Sequence, residues 1–361
     1  MTDLIGVCRN SVLASLGLFF APESQSRSAL AATGFAELQL EQVTHHDNDG
    51  RSGHSTLLAR GELAPTWTLT PGVRLESTLV LESLRDPAVN DDHWAGDEGV
   101  FIEELKLVVE QGAWQATLGK FNPAFGSAWN DGRGIWSRQF AEDYEITERL
   151  GAGLEHSGPD HALGRWSGSI NAYVTDTTAL SDAVITSRPR TDREDGGPAN
   201  TDSIASGTAT LGVERLLGVE RLVATIAYRH QGAGDADPTA EDETGVAVTV
   251  EHGTLFSPTL GADVLVEYVD IQHFETQDAD ASWLTTGAVI HLHRRWRLAA
   301  SHTRRRIGGE TDDRLLQLSG GYQFDHGATL EIGWRRSREA GEDADIIGAR
   351  WQQPFQLGES G

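Results

Sequence analysis

The residues best able to do chemistry cluster at positions 119–149, GKFNPAFGSAWNDGRGIWSRQFAEDYEITER. Lys120, Asn122, Asp131, Arg133, Arg138, Glu142 and Asp143 put both signs of charge and a carboxamide into one glycine-punctuated stretch. Trp136, Phe140 and Tyr144 recur at every fourth residue with Ile135 beside them, so a short helix there would carry one apolar face. Packed on a wall, that face would leave Arg133, Arg138, Glu142 and Asp143 toward an opening. The chemistry on offer is a local field, because opposed charges around a narrow aqueous passage select ions and polar solutes.

The flanking elements alternate with period two. The clearest runs are 73–84, 101–110, 205–215, 221–230, 245–251, 261–269, 283–292, 314–324 and 329–336. Each has about 8–12 residues, the length with which a tilted strand crosses hydrocarbon. Adding 34–43, 55–63, 114–121, 146–156, 166–174, 296–305 and 346–355 gives about sixteen strands; small boundary shifts would give fourteen or eighteen.

Connections alternate between long acidic segments (45–53, 85–99, 122–145, 175–204, 231–243, 270–281, 306–313, 337–344) and short turns (64–72, 111–113, 157–165, 216–220, 253–258, 293–295, 325–328). Long loops on one rim and short turns on the other predict an all-β, transmembrane, antiparallel up-and-down β-barrel. Segment 122–145 is its third long loop and is expected to fold into the lumen. A soluble all-β protein is the alternative.

Parity sorts the side chains by medium. In 261–269, Val264, Val266 and Tyr268 face opposite to Asp263 and Glu267; in 221–230, Leu222, Ile226 and Tyr228 face opposite to Arg221 and Arg229. A lipid-facing charge costs roughly 2–4 kcal/mol at the bilayer midplane, so the charged set belongs in the lumen. The lumen wall would then present Arg74, Glu76, Glu104, Lys106, Arg149, Asp263, Glu267, Arg297, Arg305, Glu331, Arg335 and Arg350. Arg297, Arg305, Arg335 and Arg350 come from the last strands and would form a basic strip. Lys120 shares its parity with Leu118 and reaches the lumen only across a bulge at Gly119. Trp67, Trp114, Trp166, Tyr173, Trp283, Trp296 and Trp351 lie near strand ends, as in interfacial girdles.

The 361 residues include 54 acidic and 29 basic side chains, a net charge of −25, which excludes nucleic acid as a partner. Residues 1–31 read as a secretory signal peptide: Arg9, an apolar run over 12–21, and the small-x-small site Ala29-Leu30-Ala31. Residues 32–361 form the barrel domain. Cys8, the only cysteine, falls in the leader, so the exported chain would have no thiol and no disulfide framework. The run His45-His46-Asp47-Asn48-Asp49-Gly50 resembles the start of a calcium loop but lacks the downstream bidentate Glu, so neither metal nor cofactor is expected. His291, His293, Ser301 and His302 come nearest to a hydrolytic grouping, yet Ser301 and His302 have opposite parity, and no enzyme is expected.

Gly119-Lys120-Phe121-Asn122-Pro123-Ala124-Phe125-Gly126 resembles the G-K/R-x-x-x-P-F-G-type motif of Gram-negative porins, including the phosphate-selective ones. Residues 346–355, with Gly348 and Phe355, resemble the C-terminal assembly signal of outer-membrane barrels. The resemblance implies an outer-membrane diffusion pore for small hydrophilic solutes or ions, monomeric or homotrimeric, surrounded by lipid and lipopolysaccharide and inserted by the barrel-assembly machinery. Phosphate-selective relatives line the lumen with Arg and Lys, unlike this acidic chain. A substrate-selective channel and a surface β-protein binding carbohydrate or protein are the other readings.

Overall fold

The computed structural model describes residues 30–48, 51–85, 92–130, 132–188, 190–234, 236 and 238–358. The leader expected at 1–31 lies outside these residues except for Leu30 and Ala31, which already belong to the first strand and pair with Trp67 and Thr66. Asp49 and Gly50 of the calcium-like run also lie outside the described residues, as does Asp131.

Sixteen long strands form the wall: β1 (Leu30–His46), β2 (Ser55–Thr70), β3 (Val73–Ser83), β4 (Glu98–Gln111), β5 (Trp114–Phe121), β6 (Arg149–His161), β7 (Gly164–Thr175) and β8 (Ser206–Glu214), then β9 (Leu222–Gln231), β10 (Glu243–Ser257), β11 (Leu260–Gln272), β12 (Ala281–Leu292), β13 (Trp296–Ile307), β14 (Asp313–Gln323), β15 (Thr329–Glu339) and β16 (Glu342–Leu357). Each pairs antiparallel with its sequence neighbours, and β16 closes the sheet on β1 from Ala32 opposite Leu357 to His46 opposite Ala344. Closure leaves no open edge, which a backbone crossing hydrocarbon requires.

The expected phase of the connections is present, with two adjustments. β2 runs on to Thr70 and leaves only residues 71–72 as a turn, because Trp67, Thr68 and Thr70 continue the ladder with β3. The last connection, expected to be long at 337–344, is only Ala340 and Gly341, at φ of 51° and 87°, since β15 and β16 stay paired to Glu339 and Glu342.

The outer face is apolar. Ile170, Leu211, Ile226, Val248, Val266, Leu298, Leu318, Ile332 and Ile347 are all exposed there. Trp67, Trp114, Trp166, Phe256 and Trp296 stand exposed near the short-turn rim, where an aromatic ring meets headgroups. Tyr173 and Trp283 do not join this belt. Trp283 pairs with Val269 and Arg305 on the inward parity and is buried, as is Tyr173.

One stretch of wall is completed from a loop. β5 ends at Phe121, while β4 reaches back to Glu98, so the upper part of β4 has no β5 partner. The two-residue strand Val184–Ile185 fills that place, pairing with Val100 and Gly99.

Candidate functional site

From Asn122 the chain leaves the wall, crosses the lumen and returns at β6. The departure is fixed by Asn122, whose amide donates to Glu103 Oε1 at 2.5 Å and accepts from the Glu148 N–H at 2.8 Å. The loop then lies along the inner face of β9 to β16 and reaches β1.

Its anchors are specific. Glu267 of β11 is almost fully buried and accepts from the N–H groups of Ser127 and Ala128, from the Tyr144 hydroxyl and from Thr249. Gln317 of β14 accepts from the Trp136 N–H at 2.8 Å. The Trp136 indole donates to Glu41 of β1 at 2.5 Å. Arg229 of β9 donates to the Tyr144 carbonyl at 2.9 Å and stacks over the Phe125 ring. Glycines of inward parity make room for this packing: a Cβ on Gly348 would lie 2.5 Å from the Trp136 ring, and one on Gly333 3.1 Å from Ile135.

The aromatic face expected over 135–144 is seated on the wall, with Ile135, Trp136, Phe140 and Tyr144 all buried. It is not a helix. Turns carry the chain through 137–141, and only Glu142–Tyr144 forms a 3-10 turn. Gly134 at φ 115°, wedged against Gln317, breaks the continuity, and each ring occupies its own wall position. A helix this short also gains little from its own hydrogen bonds.

The charged residues of the loop divide. Arg138 and Glu142 pair with one another at 3.2 Å on the side away from the wall packing. Asp143 is drawn to the wall by Arg305 at 2.8 Å and the Trp283 indole at 3.2 Å. Arg133 reaches Glu251 of β10 at 3.0 Å. Lys120 does not line the channel: its ammonium is fully buried where residues 176–188 cap the end of β5, 2.8 Å from Glu148 and 3.0 Å from Asp176. The hydrogen bonds that Asp176 accepts from Thr178, Ser181 and Lys120 hold its carboxyl below the usual range against the effect of burial.

The basic strip is neutralised. Arg297 and Arg350 share Glu331, Arg350 also facing Glu37; Arg305 holds Asp143 and Asp313; Arg335 pairs with Glu41 at 3.6 Å and lies over the Trp136 ring. Side chains of one inward row meet carboxylates of the next, so these four residues present ion pairs to the lumen instead of free guanidinium groups. Asp263 is likewise held, by Arg221 and His291.

The free edge of the loop, with Arg138 and Glu142, faces the wall of β2 to β4. Arg74 with Glu76, and Lys106 with Glu104, form ion pairs on that wall. Arg60, Glu62, Glu82 and Glu103 are its further members, which sequence reading overlooked. Arg60 faces the charges of Glu82, Glu142, Glu37 and Glu103, and Glu62 those of Arg60, Glu104 and Arg138, so loop and wall act on each other across the gap. Glu103 reaches the lumen because a bulge between Thr78 and Leu79 leaves it without a partner on β3, putting it on the same side as Glu104. On the loop, burial pushes the Glu145 carboxyl up to about 8; the Arg138 guanidinium opposes this, and Glu103 and Glu142 add to it.

The fold is shared with solved outer-membrane channels. DcaP of Acinetobacter baumannii is 12% identical, covers 93% of this chain and 100% of its own, and superposes with a TM-score of 0.56. OprB of Pseudomonas putida is 9% identical over 91% of this chain and 94% of its own, with a TM-score of 0.64. An anion-selective porin from Comamonas acidovorans is 9% identical over 91% of this chain and 100% of its own, with a TM-score of 0.55. No curated protein sequence matches the chain. The family profile of Gram-negative porins matches residues 12–342, which spans fifteen of the sixteen wall strands and the lumenal loop. The chain belongs to the Gram-negative porin family.

Proposed function

We propose that this outer-membrane channel is a diffusion pore for small hydrophilic solutes with a preference for cations, set between Arg138, Glu142 and Glu145 on the loop and Arg60, Glu62, Glu82, Glu103 and Glu104 on the wall. One observation carries the reading. The lumenal guanidinium groups Arg297, Arg305, Arg335 and Arg350 are each matched by carboxylates and stand on the wall along which the loop packs, whereas the facing wall of β2 to β4 holds more carboxylates than cations. In a narrow passage the local charges, not the net charge of the protein, set the ion preference.

The Comamonas porin is named anion-selective; the carboxylate excess here favours the opposite sign. The long loops face outward and the short turns the periplasm, as in outer-membrane barrels generally. Residues 1–31 act as the export signal, so that the barrel of residues 32–361 is the mature protein. Assembly of a homotrimer and insertion by the barrel-assembly machinery complete the reading. The test is the reversal potential of the purified channel in a planar bilayer under a KCl gradient. A potassium preference supports the proposal, and a chloride preference rejects it.

A further inference from the structure

A cavity of 330 Å³ opens on the long-loop side, between the end of the lumenal loop, the first residue of β6 and the loops at 197–198 and 274–277. Its walls carry Arg149, Arg229, Glu243, Glu145 and Glu275, with apolar surface from Phe274 and Pro198. Two of these charges are already satisfied by each other. Glu243 pairs with Arg229 at 2.8 Å and also accepts from the Gln231 amide and the Glu275 N–H.

Arg149 and Glu145 are not satisfied. Arg149 donates only to the Thr175 hydroxyl at 3.0 Å, its Nε has no partner, and no carboxylate pairs with it among the described residues. Of the acidic groups that act on it, Glu243 is engaged as above and Glu148 is held by Lys120 and Arg188. Beside Arg149 the Tyr173 hydroxyl is buried without a partner. The Glu145 side chain makes no ion pair or hydrogen bond among the described residues; of the cations acting on it, Arg138 is paired with Glu142 and Arg60 with Glu82. An open guanidinium and an open carboxylate thus line one cavity without meeting each other; Glu275, the other carboxylate of the lining whose side chain has no partner among the described residues, is solvent-exposed.

We infer that this cavity is a binding subsite for a small zwitterionic solute of the free amino acid class, its carboxylate on Arg149 and its ammonium on Glu145. Such a solute supplies both missing partners at once, whereas an anion leaves Glu145 unengaged and a cation leaves the Arg149 charge desolvated. The cavity has the volume of about ten liquid waters, enough for a molecule of that size with residual water. Burial raises the Glu145 carboxyl to about 8, so an arriving ammonium also stabilises its ionised form. The inference rests on the channel reading only in that the solute must reach the lumen.

The test is isothermal titration of the full folded barrel in detergent with three probes: L-glutamine, N-acetyl-L-glutamine and L-glutaminamide. Glutamine should bind, and each single-charge analogue should bind about tenfold or more weakly, the loss of one charge-assisted contact. Arg149→Gln should remove the preference for glutamine over glutaminamide, Arg149→Lys should restore part of it, and Glu145→Gln should remove the preference over N-acetylglutamine. The heat-dependent gel shift of each variant establishes that its barrel is folded. Equal binding of glutamine and N-acetylglutamine, or no heat with any probe, overturns the inference. Neither result depends on the ion preference, which is read separately by reversal potential.

Discussion

Replacing Glu267 by alanine removes the acceptor from which the root of the lumenal loop hangs. The substitution leaves the N–H groups of Ser127 and Ala128 and the hydroxyl of Tyr144 without their acceptor. A buried donor stripped of its partner costs about 1–3 kcal/mol, so three would cost about 3–9 kcal/mol in a dry site. Water from the lumen can reach the space vacated by the carboxylate, which favours the low end, about 3 kcal/mol. Packing of Tyr144 on Trp283 and Phe125 survives, so the loop stays in the barrel but detaches more often. About 3 kcal/mol raises the detached population roughly a hundredfold. Single-channel recordings of E267A should therefore show frequent brief excursions to a larger conductance. E267Q, which keeps one acceptor oxygen, should fall between it and the parent. Excursion frequencies for E267A equal to those of the parent would refute the assignment of Glu267 as the loop anchor.

Further consequences can be measured in the same preparations. Gly348→Val places side-chain atoms where the Trp136 ring sits, 2.5 Å from a modest Cβ, and should displace the loop tip, read as increased open-channel noise. Glu331→Gln removes the carboxylate shared by Arg297 and Arg350 and should lower the unfolding temperature in detergent, since breaking a buried pair costs about 3–5 kcal/mol. Glu145 titrates at about 8 beside Arg138, Glu103, Glu142 and Arg60, so raising the pH from 6 to roughly 9.5 adds negative charge to the opening. The potassium preference should increase over that interval, and E145Q should diminish the increase; an unchanged profile in E145Q would place the titrating group elsewhere.

The barrel was legible in the sequence because lipid outside and water inside impose period two on each strand. That periodicity survives boundary shifts at Thr70 and Glu339. Counting the connections also placed 122–145 third among the long loops. Side-chain partners were less legible, since they depend on register. Arg297 and Arg350 read alike as lumenal members of a basic strip, and only the pairing of β13 to β16 shows Glu331 between them. Glu103 was hidden by strict alternation, which puts it opposite to Glu104; one bulged residue reverses that. Lys120 was misplaced because its partners Glu148, Asp176 and Ser181 come from distant loop positions that close over β5. The inward glycines at 333 and 348 were a readable signal of close approach, for a strand gains nothing from them unless another group packs there.

Glu142 on the loop acts on Arg60 and Glu82 of the wall of β2 to β4, and under the proposed function the charge there governs permeation. The most direct measurement places a single cysteine at that position, E142C in the exported barrel of residues 32–361, whose sequence holds no other thiol, and adds a cationic thiol-specific methanethiosulfonate reagent to the conducting channel. The account predicts a stepwise fall in conductance together with a reversal potential shifted toward chloride. Modification of E142C confirmed by mass spectrometry with no change in either quantity would contradict it.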